Sequence, residues 1–379
     1  MNRERTIAGL LATMIGAGVP LSTPLADEDE LRREILNLKH KVERLEKSRR
    51  TVDSSKPTES DWSKNITLSG LVEIEVGYTD GPDGSHSDIS LATVELGIDA
   101  QVTPWVNAHV LILYEEGGSN SPEIDEGIIT LQNQDASPLS LAVGRMTLPF
   151  GNFESAMVSG PLTLEIGEIR EAALQAGYNP GGFYSSAFIF NGETKAGGGE
   201  SIGQYGFNLG LARGEEGTVF GYDIGLSWIN NLADSNSLQD AIADPLNLAG
   251  KVSGYSVHAL ASSGPFTLIG EYLAASSAFN STDLAFNGAG AKPVAFNVET
   301  NYVFPLADKE AIFAFAWQGT QEALALALPE NRYLAALSVE IYKNTVLSFE
   351  YARDEDYAAG EGSSGEATDT ITAQLAVVF

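Results

Sequence analysis

The chain has 379 residues, no cysteine, 39 glycines, and 22 basic against 51 acidic side chains. Without cysteine there is neither a disulfide framework nor a thiolate metal site, and so acidic a chain is ill-suited to neutralising nucleic-acid phosphates. Beyond the extreme N-terminus no apolar run reaches the roughly 18 residues of a membrane-spanning helix; a membrane barrel escapes that test because each strand is only half apolar.

Residues 1–26 read as an export signal. Arg3 and Arg5 make a positive start, Ile7 to Val19 is an apolar stretch of h-region length, and Ala26 is a cleavage end. Residues 27–50 follow with Leu31, Ile35, Leu38, Val42 and Leu45 spaced alternately by four and three, a heptad seam among charges of both signs. A periplasmic coiled coil is expected here. β-Branched residues at one core position with Leu at the other lean toward two strands, so the seam by itself leaves two or three chains open, and a solvated single helix is the alternative. Residues 51–65 read as a linker.

From Ile66 to Phe379 the pattern becomes short alternating segments. Ile66, Leu68, Val72, Ile74, Val76 and Tyr78 share one face, with Thr67, Ser69, Glu73 and Glu75 on the other. Ala92, Val94, Leu96 and Ile98 oppose Thr93, Glu95 and Asp99. Later, Tyr333, Ala335, Leu337, Val339 and Ile341 oppose Ser338 and Glu340. Side chains alternate along a strand, so one face meets lipid and the other a wet interior. About sixteen such segments begin near Ile66, Asp88, Trp105, Glu123, Leu139, Glu171, Phe183, Gly203, Val219, Lys251, Pro265, Pro293, Glu310, Asn331, Thr345 and Asp369. Short turns such as Asn179–Gly182, Ser263–Gly264 and Lys343–Asn344 alternate with long connections such as Met146–Arg170, Asn231–Gly250 and Ala275–Lys292. That sorting is expected of an outer-membrane barrel, with turns toward the periplasm and loops outside. The fold class is therefore all-β: an antiparallel transmembrane β-barrel of about 16 strands (66–379) with an N-terminal coiled-coil helix. Trp105, Tyr78, Trp228, Tyr272 and Trp317 fall near strand ends, where interfacial aromatics belong, and the chain closes on an alternating strand ending in Phe379.

The stretch from Leu139 to Gly192 carries Val143-Gly144-Arg145, Pro149-Phe150-Gly151, Pro161-Leu162-Thr163 and Phe190-Asn191-Gly192. With these motifs the chain resembles trimeric porins of the phosphate-selective superfamily, and within it the LbtU-type siderophore porins. The resemblance implies a homotrimer through barrel and coiled coil, outer-membrane lipid and a small solute, an iron siderophore, as partners, and no cofactor. It also implies that the third external loop, Met146 to Arg170, folds inward. Pore-constriction candidates are then Arg145, Pro149, Phe150, Gly151, Glu154, Glu165, Glu168 and Arg170.

Residues 51–379 hold 12 basic and 43 acidic side chains. Alternation puts Glu73, Glu75, Glu95, Asp99, His109, Asp223, Glu271, Glu299, Glu340 and Glu350 toward the lumen. An anion channel needs rings or ladders of Arg and Lys, which this pattern lacks, so a cation-preferring lumen is expected. General or cation-selective diffusion, or a phosphate-type porin without the basic channel, are the alternatives to siderophore passage. No nucleophile elbow, paired-histidine motif or phosphate-cradling glycine loop occurs, so neither an enzyme nor a metal site is expected.

Overall fold

A computed structural model of the protein describes residues 65–116, 122–197, 202–214 and 220–379. The expected export signal (1–26), coiled coil (27–50) and linker up to residue 64 lie outside them. The strands in chain order are β1 (Ile66–Gly81), β2 (Gly84–Thr103), β3 (Val106–Glu115), β4 (Glu123–Gln132), β5 (Leu139–Thr147), β6 (Arg170–Tyr178), β7 (Phe183–Phe190), β8 (Gln204–Arg213), β9 (Phe220–Ile229), β10 (Gly254–Ser263) and β11 (Phe266–Ala275). A small loop hairpin, β12 (Ala285–Phe286) and β13 (Ala289–Gly290), precedes β14 (Val294–Leu306), β15 (Lys309–Gln321), β16 (Asn331–Tyr342), β17 (Thr345–Glu355) and β18 (Ala367–Val378).

Leaving out β12 and β13, sixteen strands form one closed barrel in which each pairs antiparallel with its chain neighbour and β18 returns to β1. Closure removes the exposed edges that a flat sheet would present. The seam is finished by the last residue: the Gly70 and Phe379 backbones exchange both hydrogen bonds, at 2.9 and 3.0 Å. The Phe379 ring lies over Gly70, in the space a Cβ would fill.

Alternation sorts the two faces. Ile74, Val76, Leu96, Leu174, Val298 and Phe313 are exposed on the outside, while Glu73, Glu75, Asn297, Glu299, Ser348 and Glu350 are buried within. On β16, Tyr333, Ala335, Leu337 and Val339 form the outer, half-buried row, and Leu334, Ala336 and Ser338 point inward. Rings gather in two outer belts. One includes Tyr205 and Phe207 against Trp228, Tyr255 beside Tyr272, and Phe296 beside Trp317. The other includes Tyr178 beside Phe183, and Tyr302 between Phe266 and Phe304. Along β14 the belts are six residues apart, from Phe296 to Tyr302, or about 20 Å of extended strand.

Connections at one end are tight. Thr103 Oγ1 caps the β2–β3 turn by accepting from the N–H groups of Trp105 and Val106, both at 3.1 Å. Ala307 and Asp308 turn β14 into β15 with φ of 50° and 64°, the left-handed pair of a hairpin turn that follows strand twist. At the other end run the long connections 148–169, 191–203, 230–253, 276–293, 322–330 and 356–366. The first of that side is an exception. β1 and β2 extend into a long hairpin closed at Gly81 and Gly84, which puts His86 in strand β2 rather than in a loop.

Candidate functional site: the internal loop and the opposite wall

A connection of 22 residues has that many backbone donors to satisfy, less its prolines, and no ladder to satisfy them. In 148–169 many find acceptors on the inner face of the barrel. The loop's ends are drawn together by Leu148 N–H to the Ile169 carbonyl at 2.8 Å. Gly151, with φ 90°, turns the chain inward, and its N–H reaches Ser227 Oγ on β9 at 2.9 Å. Asn152 and Phe153 donate their N–H groups to the Glu271 carboxylate on β11 (2.7 and 3.2 Å), as do the hydroxyls of Thr163 and Ser256 (2.7 and 3.0 Å). Ser155 Oγ and Ala156 N–H donate to Glu299 on β14, both at 2.7 Å. Val158 N–H, Ser159 N–H and Ser159 Oγ all donate to Glu350 on β17, at 2.6, 3.1 and 2.5 Å. Leu162 N–H, opening the short helix Leu162–Gly167, donates to Gln318 Oε1 on β15 at 3.1 Å.

Ser227 and three inward carboxylates thus hold the loop along the arc from β9 to β17. Hydrogen bonds to an ionised acceptor are about twice as strong as neutral ones. The apolar side of the loop adds to this: Met146, Leu148, Phe150, Ile166 and Ile169 are buried in one cluster with Phe188, Phe190, Ile229, Leu232 and Leu273. Full burial of such a side chain contributes roughly 1.5–3 kcal/mol. Met157 sits in a second cluster with Ala314, Ala316, Leu334, Ala336 and Ala352. The small residues on β15–β17 leave room for the loop.

The wall from β1 to β4 takes none of those anchoring bonds and carries the densest acidic group. Glu73 pairs across the ladder with Thr93, and Thr93 with Glu115; Glu95 pairs with Leu71. Asp125 and Glu126 stand on β4 at an irregularity opposite Leu111 and Ile112, and Asp125 is buried. Arg170, at the start of β6, reaches across to this group: Nη1 contacts Asp125 Oδ1 at 2.5 Å and Nη2 contacts Glu168 Oε1 at 2.8 Å. Glu168 is also held by Asn236 Nδ2 at 3.1 Å. Toward the turn end of the same wall, His109 Nδ1 lies 2.8 Å from Asp99 Oδ1, with the Asp99 side chain still 55% exposed.

The other expected site residues are distributed as follows. Pro149, Phe150 and Gly151 lie at the entry of the loop, with Phe150 buried. Glu154 and Glu165 are half-buried on it. Arg145 shares the side of β5 that exposes Leu139, Leu141 and Val143, so strand alternation directs it away from the lumen, a correction to its place among the constriction residues. Glu75 accepts from Gln374 Nε2 at 3.2 Å. Asp223 accepts from the Tyr184 hydroxyl at 2.8 Å, beside His258. Glu340 is exposed at the end of β16, where it accepts from Asn344 N–H at 3.1 Å, and serves the turn rather than the middle of the lumen. Asp354 forms a two-pronged pair with Arg332 at 2.7 and 2.8 Å.

Sequence reasoning did not single out Glu115, Asp125, Ser227, Gln318 or Tyr184. Ser227, Gln318 and Tyr184 obey the alternation and were there to be found on the inner face. Asp125 adjoins Glu126, and simple alternation cannot place two neighbours on one side; only the ladder irregularity does.

No family model matches the chain. A UPF0422 protein of Legionella pneumophila (strain Philadelphia 1) is 29% identical over 355 residues, covering 83% of this chain and 66% of the relative, so the chain spans about two thirds of that protein's length. Among solved structures, the anion-selective porin from Comamonas acidovorans superposes with a TM-score of 0.58 at 12% identity, over 83% of this chain and 99% of that one. OprB of Pseudomonas putida does so at 0.61 and 12%, over 86% and 100%. The fold is therefore the porin-like sixteen-stranded barrel.

Proposed function

We propose that this protein is a passive diffusion channel of the Gram-negative outer membrane, narrowed by the loop 148–169 and preferring cations. The observation that carries the reading is the docking of the loop on Glu271, Glu299 and Glu350. In this reading those carboxylates serve to hold the loop, and the β1–β4 wall is the charged side of the passage. That wall holds Glu73, Glu95, Glu115, Asp125 and Glu126. Arg170, facing them, is engaged by Asp125 and Glu168. An acidic wall attracts cations and repels anions, the opposite preference to that in the Comamonas protein's name. Constriction residues in this reading are Glu154, Glu165, Glu168 and Arg170, while Phe150 and Gly151 anchor the loop from beneath.

The test is the reversal potential of the reconstituted protein in a KCl gradient. A potential of the sign set by K⁺ supports the reading, and one set by Cl⁻ overturns it. An iron siderophore is the more specific cargo that the resemblance to siderophore porins supports. Growth of a deletion strain under iron limitation, with and without added siderophore, tests it; equal rescue of mutant and parent would dismiss it. Assembly as a homotrimer, aided by a coiled coil at 27–50, belongs to the same reading. Cross-linking of the full chain and of a chain lacking 27–50 separates the contribution of the helix from that of the barrel.

A further inference from the structure

Glu73 is 0% exposed, and no hydrogen bond of good geometry reaches either carboxylate oxygen, although the Thr93 hydroxyl faces it across the ladder. Its charged neighbours are Glu75, Glu95 and Glu115, all of its own sign. A buried carboxylate without a partner is costly unless it holds a proton or faces a cation. The register fixes its setting. Glu73 and Glu115 flank Thr93 on either side, each about 5 Å from it along the ladder, and Glu95 lies two residues further along β2 on the same inner face. Glu95 and Glu115 are only half-buried, so the group opens toward the lumen in front of Glu73. Among the described residues no three acidic or histidine side chains converge closely enough to hold a metal ion. The carboxylates are spread, as suits a cation whose N–H donors fan out. The same wall already holds one such group: the Arg170 guanidinium divides its donors between Asp125 and Glu168.

We propose that Glu95 and Glu115, with the buried Glu73 behind them, form a transit site for the ammonium or guanidinium group of a small organic cation moving along the β1–β4 wall. The proposal rests on the cation-preferring channel above and names the class of solute that channel favours. Glu95 and Glu115 are the acceptors and Glu73 adds its charge from behind them; Arg170, whose charge also acts on Glu115 and Glu95, keeps the solute from settling against Asp125.

The experiment measures interruption of the K⁺ current through the full-length protein in planar bilayers by agmatine, a dication that carries both groups, and by tetramethylene-bis(trimethylammonium), a dication of similar span with no N–H donor. Agmatine is expected to half-block at a concentration at least about tenfold below the bis-quaternary cation, a difference of about 1.4 kcal/mol. Glu73→Gln and Glu115→Gln, made separately, are each expected to raise the agmatine value about tenfold, and Glu361→Gln, on the external loop 356–366, to leave it unchanged. The heat-dependent gel shift of folded barrels checks that each variant is assembled. Unchanged half-block in both assembled variants overturns the site, and for Glu73 means a carboxyl that holds a proton. Equal block by the two cations overturns the role of the N–H donors. A channel that prefers K⁺ yet is not blocked loses only this site, whereas a Cl⁻-preferring channel loses the function beneath it.

Discussion

Replacing Glu350 by Ala removes the acceptor that holds the far part of the loop. Three donors then lose their partner: Val158 N–H, Ser159 N–H and Ser159 Oγ. Hydrogen bonds to a charged group contribute roughly 1.5–3 kcal/mol each, so the gross loss is about 5–9 kcal/mol. The loop recovers most of this by lifting its tip into water, where the donors are solvated again. A net loss near 2 kcal/mol is expected, which multiplies the undocked population about 30-fold. The anchors at Glu271 and Glu299 remain, so the barrel stays assembled while the loop frays from one side. Two readouts follow. Single-channel recordings of Glu350→Ala are expected to show a noisier current of altered conductance. A Glu-specific protease is expected to cut the variant at Glu154 or Glu165 and to spare the parent. Glu350→Gln keeps one acceptor oxygen and falls between the two. If conductance, noise and cleavage of the Ala variant match the parent, the carboxylate does not hold the loop and its place in the site is lost.

Charge reversal at Glu168, which Arg170 and Asn236 both engage, is expected to change conductance more than reversal at Glu361 on the external loop 356–366, read by the same recordings. Arg170→Met leaves Asp125 and Glu168 without their counter-charge; breaking a buried pair this way costs about 3–5 kcal/mol, so the variant should unfold at lower temperature on heating in detergent. Gly144→Ala places a Cβ 1.9 Å from the Gly127 carbonyl oxygen, at a residue with φ of 143°. Because backbone rather than a side chain must move, a loss of more than about 2 kcal/mol is expected, seen as a lower midpoint in urea. Gly70→Ala meets only the Phe379 ring, which can swing aside, and should be nearly silent in the same titration.

The strand starts, the tight turns, the apolar outer face and most of the inward carboxylates could all be read from residue order. The reason is that a two-sided strand must alternate: lipid outside and water inside impose a period of two on every span. Glu271, Glu299 and Glu350 each sit between outward-facing neighbours, and that alone puts them inside. Arg145 shares the parity of Leu141 and Val143, so its position beside a family-like motif misled where the strand period itself did not. Two things lay beyond that period. Asp125 joins Glu126 on one wall because the β3–β4 ladder slips at Leu111 and Ile112, and such a slip is a property of two strands together. Most of all, alternation cannot tell an acid that lines a passage from one that holds a loop. Which carboxylates meet backbone N–H groups depends on where 148–169 comes to rest, some 80 to 190 residues away along the chain from the side chains that receive it. That destination is settled by the small residues of β15–β17, the apolar pocket under Phe150 and the acceptors of the far wall acting at once, and only the closed barrel brings them together.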